Sequence, residues 1–294
     1  MTPLRAIDIC AGAGGWACAA RDLPIRIDLA VDLWPVACRT YEINHPATQV
    51  LCADLRDPDV QERVRQLARG CDLVLGGIPC EWLSVYRALN PVGSAELAQQ
   101  RATLDACLEL VRAIAPTYWC LEDVPQITKE LPILTPWSVI QSAQYSGQRR
   151  KRVFVGRFPR PARGHSTKKL ADYVRPGPYR IGPRSIDRKP VLNRTFTRTE
   201  SLAAPLDRKA PTVLSYSSRR DAEVLVMDER LPIGKRQMEW QEAAVLQGFP
   251  EDYVFFGSPS DVAKQIGRAI QIDTGRAILS AIVASAAAKE VMHG

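Results

Sequence analysis

Between residues 4 and 122, five short apolar runs each stop at a glycine or a carboxylate, and this rhythm restricts what the chain can become. The runs are residues 4–10 before Ala11-Gly12, 25–31 before Asp32, 49–52 before Ala53-Asp54, 72–75 before Gly76-Gly77, and 118–121 before Glu122. Amphipathic stretches at 16–21, 35–44, 60–69 and 95–114 separate them. Short strands alternating with helices predict an α/β fold, a doubly wound, mostly parallel sheet with helices on both faces. Residues 153–157 add a further strand. A long stretch rich in Ala, Ile and Val, residues 259–289, predicts one final helix packing back on the sheet.

The character changes near Gly156. Residues 157–220 are dense in Pro, Gly, Arg and Lys, with few periodic apolar positions. Such a stretch reads either as a flexible linker or as a small, loop-rich module that binds nucleic acid. Tyr173, Tyr179, Phe196 and Tyr216 favour the module, because disordered linkers are poor in aromatics. The expected division is a discontinuous α/β domain, 1–157 and 258–294, interrupted by a small basic region, 158–257. The net charge of +7 suits a polyanionic partner. Eight cysteines include no CxxC pair, and none of His45, His165 and His293 stands at ligand spacing from a cysteine, so no metal is expected. Residues 1–10, MTPLRAIDIC, lack the long apolar run of a signal peptide, and no apolar run approaches the roughly 20 residues that cross a bilayer. A soluble cytoplasmic protein without membrane contact, monomeric by default, is the expectation.

The strand ends carry the chemistry. Asp8, Cys10, Ala11, Gly12, Gly14 and Gly15 form a strand-to-helix turn where glycine lets backbone approach a ligand closely. Asp32 ends the second run, where a carboxylate can hold ribose hydroxyls, and Asp54-Leu55 follows the third. Both aspartates could instead cap helices. Gly76-Gly77-Ile78-Pro79-Cys80-Glu81 places a cysteine after a proline at a strand end, a position suited to a covalent nucleophile rather than to core packing. Glu122-Asp123 puts two carboxylates at the same edge, where burial without purpose is unfavourable. In 148–152, Gln-Arg-Arg-Lys-Arg, alternation turns Gln148, Arg150 and Arg152 to one side of an extended segment, although an ordinary basic surface would read the same way.

Taken in order, these segments resemble the cytosine-C5 DNA methyltransferase family. Leu246-Gln247-Gly248-Phe249-Pro250 looks like that family's late motif and Gly267-Arg268-Ala269-Ile270 like its last. The resemblance implies a Rossmann-like fold that uses S-adenosyl-L-methionine and acts on double-stranded DNA in a bacterial or phage-infected cell, as a restriction partner or a solitary enzyme. It makes 1–157 and 258–294 a catalytic domain and 158–257 a target-recognition region with its hinge. It implies that Cys80 attacks C6 of a flipped-out cytosine, that Glu122 holds N3 and N4, and that Arg150 and Arg152 support the base. It assigns cofactor contacts to Asp8, Ala11, Gly12, Gly14, Gly15, Asp32, Leu33, Asp54, Leu55, Pro79, Arg268 and Ala269. DNA contacts fall to Ser84, Gln148, Arg149 and Gln247.

The chain departs from the family pattern at four informative places. Cys10 replaces a phenylalanine that contacts adenine, leaving Leu33 and Trp34 to supply apolar contact. Glu81 and Asp123 stand where glutamine and asparagine are usual. Arg268 replaces an asparagine near the reactive end of the cofactor. A guanidinium there suits a donor that carries a carboxylate, carboxy-S-adenosyl-L-methionine, which would yield 5-carboxymethylcytosine. Arg268 could equally pair with a neighbouring acid or a phosphate. Three other readings stay open: a tRNA cytosine methyltransferase, a silent DNA-binding protein on the same fold, and a dehydrogenase sharing only the glycine turn.

Overall fold

The computed structural model describes residues 2–79, 94–174, 206–213, 225–227 and 235–293, with side chains from residue 98 in the second segment. Strands β1 (Leu4–Ile9), β2 (Ile25–Asp32), β3 (Gln49–Cys52), β4 (Leu73–Gly77), β5 (Tyr118–Asp123), β6 (Trp137–Gln141) and β7 (Lys151–Val155) form one sheet in the order β3-β2-β1-β4-β5-β7-β6. The first five pair in parallel, while β7 runs antiparallel to both β5 and β6. The edge strand β6 has no signal in the sequence. It has only five residues, its Trp137 is exposed, and it follows Pro132 and Pro136, so no alternating pattern marks it.

Helices cover both faces. On one side lie α1 (Gly15–Ala20), α5 (Trp240–Gln247), α6 (Pro259–Arg268) and α7 (Ile272–His293), packing Trp16, Leu246, Ile266, Leu279 and Ile282 against the sheet. On the other, α3 (Pro58–Leu67) and α4 (Ser94–Ile114) pack Val64, Leu104 and Leu110 against Ile7, Ile9 and Val74. Helix α2 (Pro35–Asn44) connects β2 to β3. Adjacent Ala6 and Ile7 enter opposite cores, as the two-residue period of a strand requires. Each fully buried large aliphatic side chain contributes about 1.5–3 kcal/mol. Local signals set the helix ends. Asp57 accepts from the Asp59 amide at 2.9 Å with Pro58 in the first turn of α3, and Ser258 and Asp261 cap α6 reciprocally.

The single final helix expected over 259–289 is two. The chain extends at Ala269, where Arg150 takes the Gly267 and Ala269 carbonyls and Gln247 also reaches Ala269. Gln271 Oε1 then accepts from the Thr274 amide and hydroxyl, starting α7 afresh. Competing donors thus break a stretch whose composition alone favours continuous helix.

Residues of the 158–257 stretch also enter this core. Leu170, Tyr173, Ala210, Val213, Leu246, Phe249 and Tyr253 share a core cluster with α1 and α7, although all fall in 158–257. Residues 206–213 lie along 147–150: Ala210 N donates to Gly147 O at 2.7 Å and Arg149 N to Ala210 O at 2.8 Å. Lys209 Nζ secures the turn by donating to the Ser146, Ser166 and Lys168 carbonyls. A few widely spaced apolar side chains among prolines and arginines leave no periodic trace in the sequence. Strands β8 (Leu225–Met227) and β9 (Lys235–Gln237) pair antiparallel as a separate ribbon.

Candidate active site

The sheet changes winding direction between β1 and β4, and ligands bind at the carboxyl ends of strands at such a point. The glycine loop begins there. Cys10 already has φ of 50°, Gly12 53° and Gly14 85°, values that favour glycine at the latter two positions. Ala11 N donates to Val31 O and Gly14 N to Ala11 O, closing the turn. Asp32 ties the loop to β2: Oδ2 accepts from Gly12 N at 2.7 Å and Oδ1 from Trp34 N at 2.8 Å. Burial lifts the Asp32 carboxyl above its ordinary value, against the opposing pull of those amides and of the Arg268 cation. Among the described residues, a Cβ at Gly12 would have nothing within 4 Å, and one at Gly77 would meet only Cys10 O at 3.8 Å. With respect to those residues the glycines border open space beside Asp32, the kind of crevice an adenosyl cofactor fits.

The cofactor candidates do not all face this crevice. Ala269 lies against the back of the loop, 3.5 Å from a Cβ built on Gly15. Leu33 is exposed beside Asp32, and the Arg268 guanidinium sits 5.3 Å from the Trp34 ring centroid. Asp54 is engaged by Arg56, whose Nη2 stands 2.6 Å from Oδ2, and this partner holds the Asp54 carboxyl below the usual range. The Leu55 side chain belongs to the opposite core. Asp8 is wholly buried beneath the loop. Its Oδ2 accepts from Tyr41 Oη at 3.5 Å, its Oδ1 has no partner among the described residues, and burial raises its carboxyl well above the usual range.

The second group stands two strands away. Glu122 is in register with Gly77, and Ile78 N donates to Glu122 O at 3.0 Å, so the Pro79 turn starts beside Glu122. Cys80 and Ser84 lie outside the described residues. Arg152 Nε stands 3.0 Å and Arg150 Nη2 4.0 Å from Glu122 Oε1, neither aligned for a hydrogen bond. The carboxylate is therefore charge-paired while that oxygen can still accept from a ligand. Asp123 is fully buried, its Oδ1 accepts from Val124 N, and burial raises its carboxyl well above the usual range.

Alternation across 148–152 holds: Gln148 and Arg150 are buried, Arg152 is partly enclosed, and Arg149 and Lys151 are exposed. Arg150 turns its fork to backbone, donating Nη1 to Val213 O at 3.0 Å and Nη2 to Gly267 O and Ala269 O at 3.1 Å. Gln148 and Gln247 are fully buried and joined, Nε2 of the first to Oε1 of the second at 3.0 Å. Of the described residues put forward for DNA contact, Arg149 has the exposed side chain. His45 had no sequence signal of its own, and Tyr253 was marked only as the end of the segment 242–253 that resembles the late motif. Tyr253 lies seven residues beyond Leu246 of the late motif, where spacing alone does not show that it faces the glycine loop.

Known proteins place this arrangement. The sequence profile of the "C-5 cytosine-specific DNA methylase" family matches residues 4–132 and 179–284. The chain is 25% identical over 326 residues to type II methyltransferase M1.HphI of Haemophilus parahaemolyticus, covering 95% of this chain and 87% of that one. It is 25% identical over 323 residues to type II methyltransferase M.NgoMIV of Neisseria gonorrhoeae, covering 94% and 97%. Among solved structures, the Entamoeba histolytica methyltransferase EhMeth superposes with a TM-score of 0.70 at 13% identity, over 97% of this chain and 99% of that one. The S. pombe Dnmt2 methyltransferase gives 0.68 at 16%, over the same shares. These likenesses confirm the Rossmann-like methyltransferase fold. On the profile match, which spans most of its length, the chain belongs to the C-5 cytosine-specific DNA methylase family.

Proposed function

We propose that the protein transfers a methyl group from S-adenosyl-L-methionine to C5 of cytosine in duplex DNA, as a type II modification enzyme. The observation that carries this reading is the register of Glu122 with Gly77, which sets a charge-paired, nearly enclosed carboxylate beside the turn leading to Cys80, on the same sheet edge as the glycine crevice. S-adenosyl-L-methionine, when bound, supplies an electrophilic methyl on a sulfonium sulfur. Gly12, Asp32 and Leu33 would hold it, with Trp34 and Arg268 at the crevice mouth. The cytosine must leave the duplex stack, at a cost of a few kcal/mol, for its ring to reach this depth. The Cys80 thiolate adds to C6, and Glu122 keeps N3 and N4 engaged while a proton reaches N3. Electron density then rises at C5, which takes the methyl. Loss of the C5 proton to a water molecule expels the thiolate, N3 returns its proton to Glu122, and the aromatic ring is restored. The Arg152 cation offsets charge on Glu122 and the adduct. Recognition is assigned to the basic stretch within 158–257 together with Arg149.

Nucleoside mass spectrometry of duplex DNA incubated with the protein and S-adenosyl-L-methionine tests this. 5-Methylcytosine that disappears in Cys80→Ala supports it. Modification of tRNA with none in duplex DNA overturns it.

One observation favours a second donor. The Arg268 backbone is flanked by the Gly267 and Ala269 carbonyls that Arg150 holds, while its guanidinium reaches Trp34 at the crevice mouth. A carboxylate on the transferable group of carboxy-S-adenosyl-L-methionine that reached this side of the crevice would pair with the Arg268 cation, which already acts on Asp32. With both donors offered together, 5-carboxymethylcytosine should form in the parent protein and fall at least tenfold in Arg268→Asn. An unchanged product ratio excludes donor selection by Arg268.

A further inference from the structure

Beneath the glycine loop lies a polar cluster built from residues far apart in sequence. Tyr253 Oη donates to the carbonyl of Ala13. His45 Nε2 stands 3.1 Å from the same hydroxyl, and Cys18 Sγ 4.0 Å from Nε2. The imidazole packs between Tyr41 and Tyr253, with ring centroids 4.9 Å and 5.9 Å away. A Cβ at Gly14 would fall 2.8 Å from Tyr253 Oη and 2.9 Å from His45 Nε2, so this pair fits directly under the loop's backbone.

The hydrogen positions follow from the partners. A carbonyl only accepts, so the Tyr253 hydroxyl hydrogen belongs to Ala13 O, and its oxygen is left to accept. His45 must then donate from Nε2, and because burial keeps its ring neutral it is the tautomer protonated there. The bond pins the Ala13–Gly14 peptide with its oxygen turned into the protein. The tyrosine is in turn held from α2: Asn44 exchanges two hydrogen bonds with the Val254 backbone, at 2.8 Å and 3.0 Å, and Thr40 Oγ1 accepts from Phe256 N at 2.9 Å. A strap from the late motif is therefore fastened across α2 and ends on the cofactor loop, 240 residues away in sequence.

We propose that Tyr253, oriented by His45, is a positioning residue for the cofactor loop, setting the loop's ligand-facing shape without touching the base or the transferred group. The proposal rests on the cofactor assignment above. Without the hydroxyl, the Ala13–Gly14 peptide can rotate, and the crevice must be re-ordered each time the adenosyl ligand binds.

The test is calorimetric binding of S-adenosylhomocysteine to the full chain, with steady-state kinetics and ligand-free melting temperatures for each variant. Tyr253→Phe should weaken binding about tenfold and raise KM for the methyl donor by a similar factor, with KM for DNA and kcat within about twofold. His45→Leu should do the same, and His45→Gln, which keeps an N–H near the Nε2 position, should restore most of the affinity. A purely structural role would lower the melting temperature but leave affinity and KM of the folded protein unchanged. Parent-like affinity in Tyr253→Phe, or equal losses in His45→Leu and His45→Gln, overturns the proposal. Absence of binding by the parent protein overturns the cofactor assignment itself.

Discussion

Arg152 Nε stands 3.0 Å from Glu122 Oε1, with 15% of the arginine side chain and 6% of the glutamate side chain exposed. At this depth an unscreened cation and carboxylate favour one another strongly, and either alone is costly. Glu122→Gln keeps the shape but loses the charge, and single-turnover methyl transfer should fall by about 10²–10³-fold. S-adenosylhomocysteine affinity should stay within twofold. A rate within tenfold of the parent would remove Glu122 from the chemistry.

Arg150 performs a different task from Arg152, because its hydrogens go to the carbonyls of Val213, Gly267 and Ala269. It joins the segment returning from the basic region to the break between α6 and α7. Arg150→Met leaves those carbonyls and Glu122 without the guanidinium, and should cost about 3–5 kcal/mol of stability in urea unfolding. Arg150→Lys should recover little, since one ammonium cannot reproduce a planar fork. A loss below about 1 kcal/mol would show that water replaces the guanidinium readily.

Asp123 offers a test by pH. Burial raises its carboxyl well above the ordinary value of 3.8 in the folded protein, so between 3.8 and the folded value the native state holds the proton more firmly than the unfolded chain. Its contribution is therefore greatest at low pH and is lost as pH rises through the folded value. Asp123→Asn removes this titration while keeping the Oδ1 acceptor for Val124 N. The variant's melting temperature should gain on the parent's between pH 4 and 8, and a constant difference would contradict a proton held on Asp123.

His45 gives the opposite sign. Burial, reinforced by the Arg21 cation, pushes it down to about 4 from 6.5. Its neighbours Tyr41, Tyr253 and Cys18 all have their own ionisations pushed upward, so none supplies a compensating negative charge. The unfolded chain therefore binds the proton first as pH falls from 6.5 to 4. His45 contributes full stability above 6.5 and loses on the order of 3 kcal/mol across that interval. His45→Gln should flatten this part of the stability profile, measured by thermal melting between pH 4 and 7. An unchanged slope would place the acid sensitivity elsewhere.

Much of the site is legible because its signals are local. Strand ends carry Gly12, Asp32, Gly77 and Glu122, and strand order alone brings them to one edge. A two-residue period turns Arg150 and Arg152 inward without knowledge of any partner. Helix α3 announces itself through Asp57 and Pro58. Edge strand β6 is not legible in the sequence, because a short, half-exposed strand after prolines carries no pattern to read.

By itself, the sequence of this protein determined its alternating architecture, its glycine-rich loop and the neighbourhood of Glu122, since each depends on periodicity or on turn chemistry within a few residues. Tertiary structure decided which polar groups meet. It sent Gln148 and Gln247 to one another, opened α6 and α7 apart at Ala269, turned Arg150 to three carbonyls and brought Tyr253 beneath Ala13. Those partners are separated by between 63 and 240 residues. A buried donor or acceptor must be satisfied by whatever the packed core brings within reach, and that depends on how the elements dock rather than on the residues beside it in the chain.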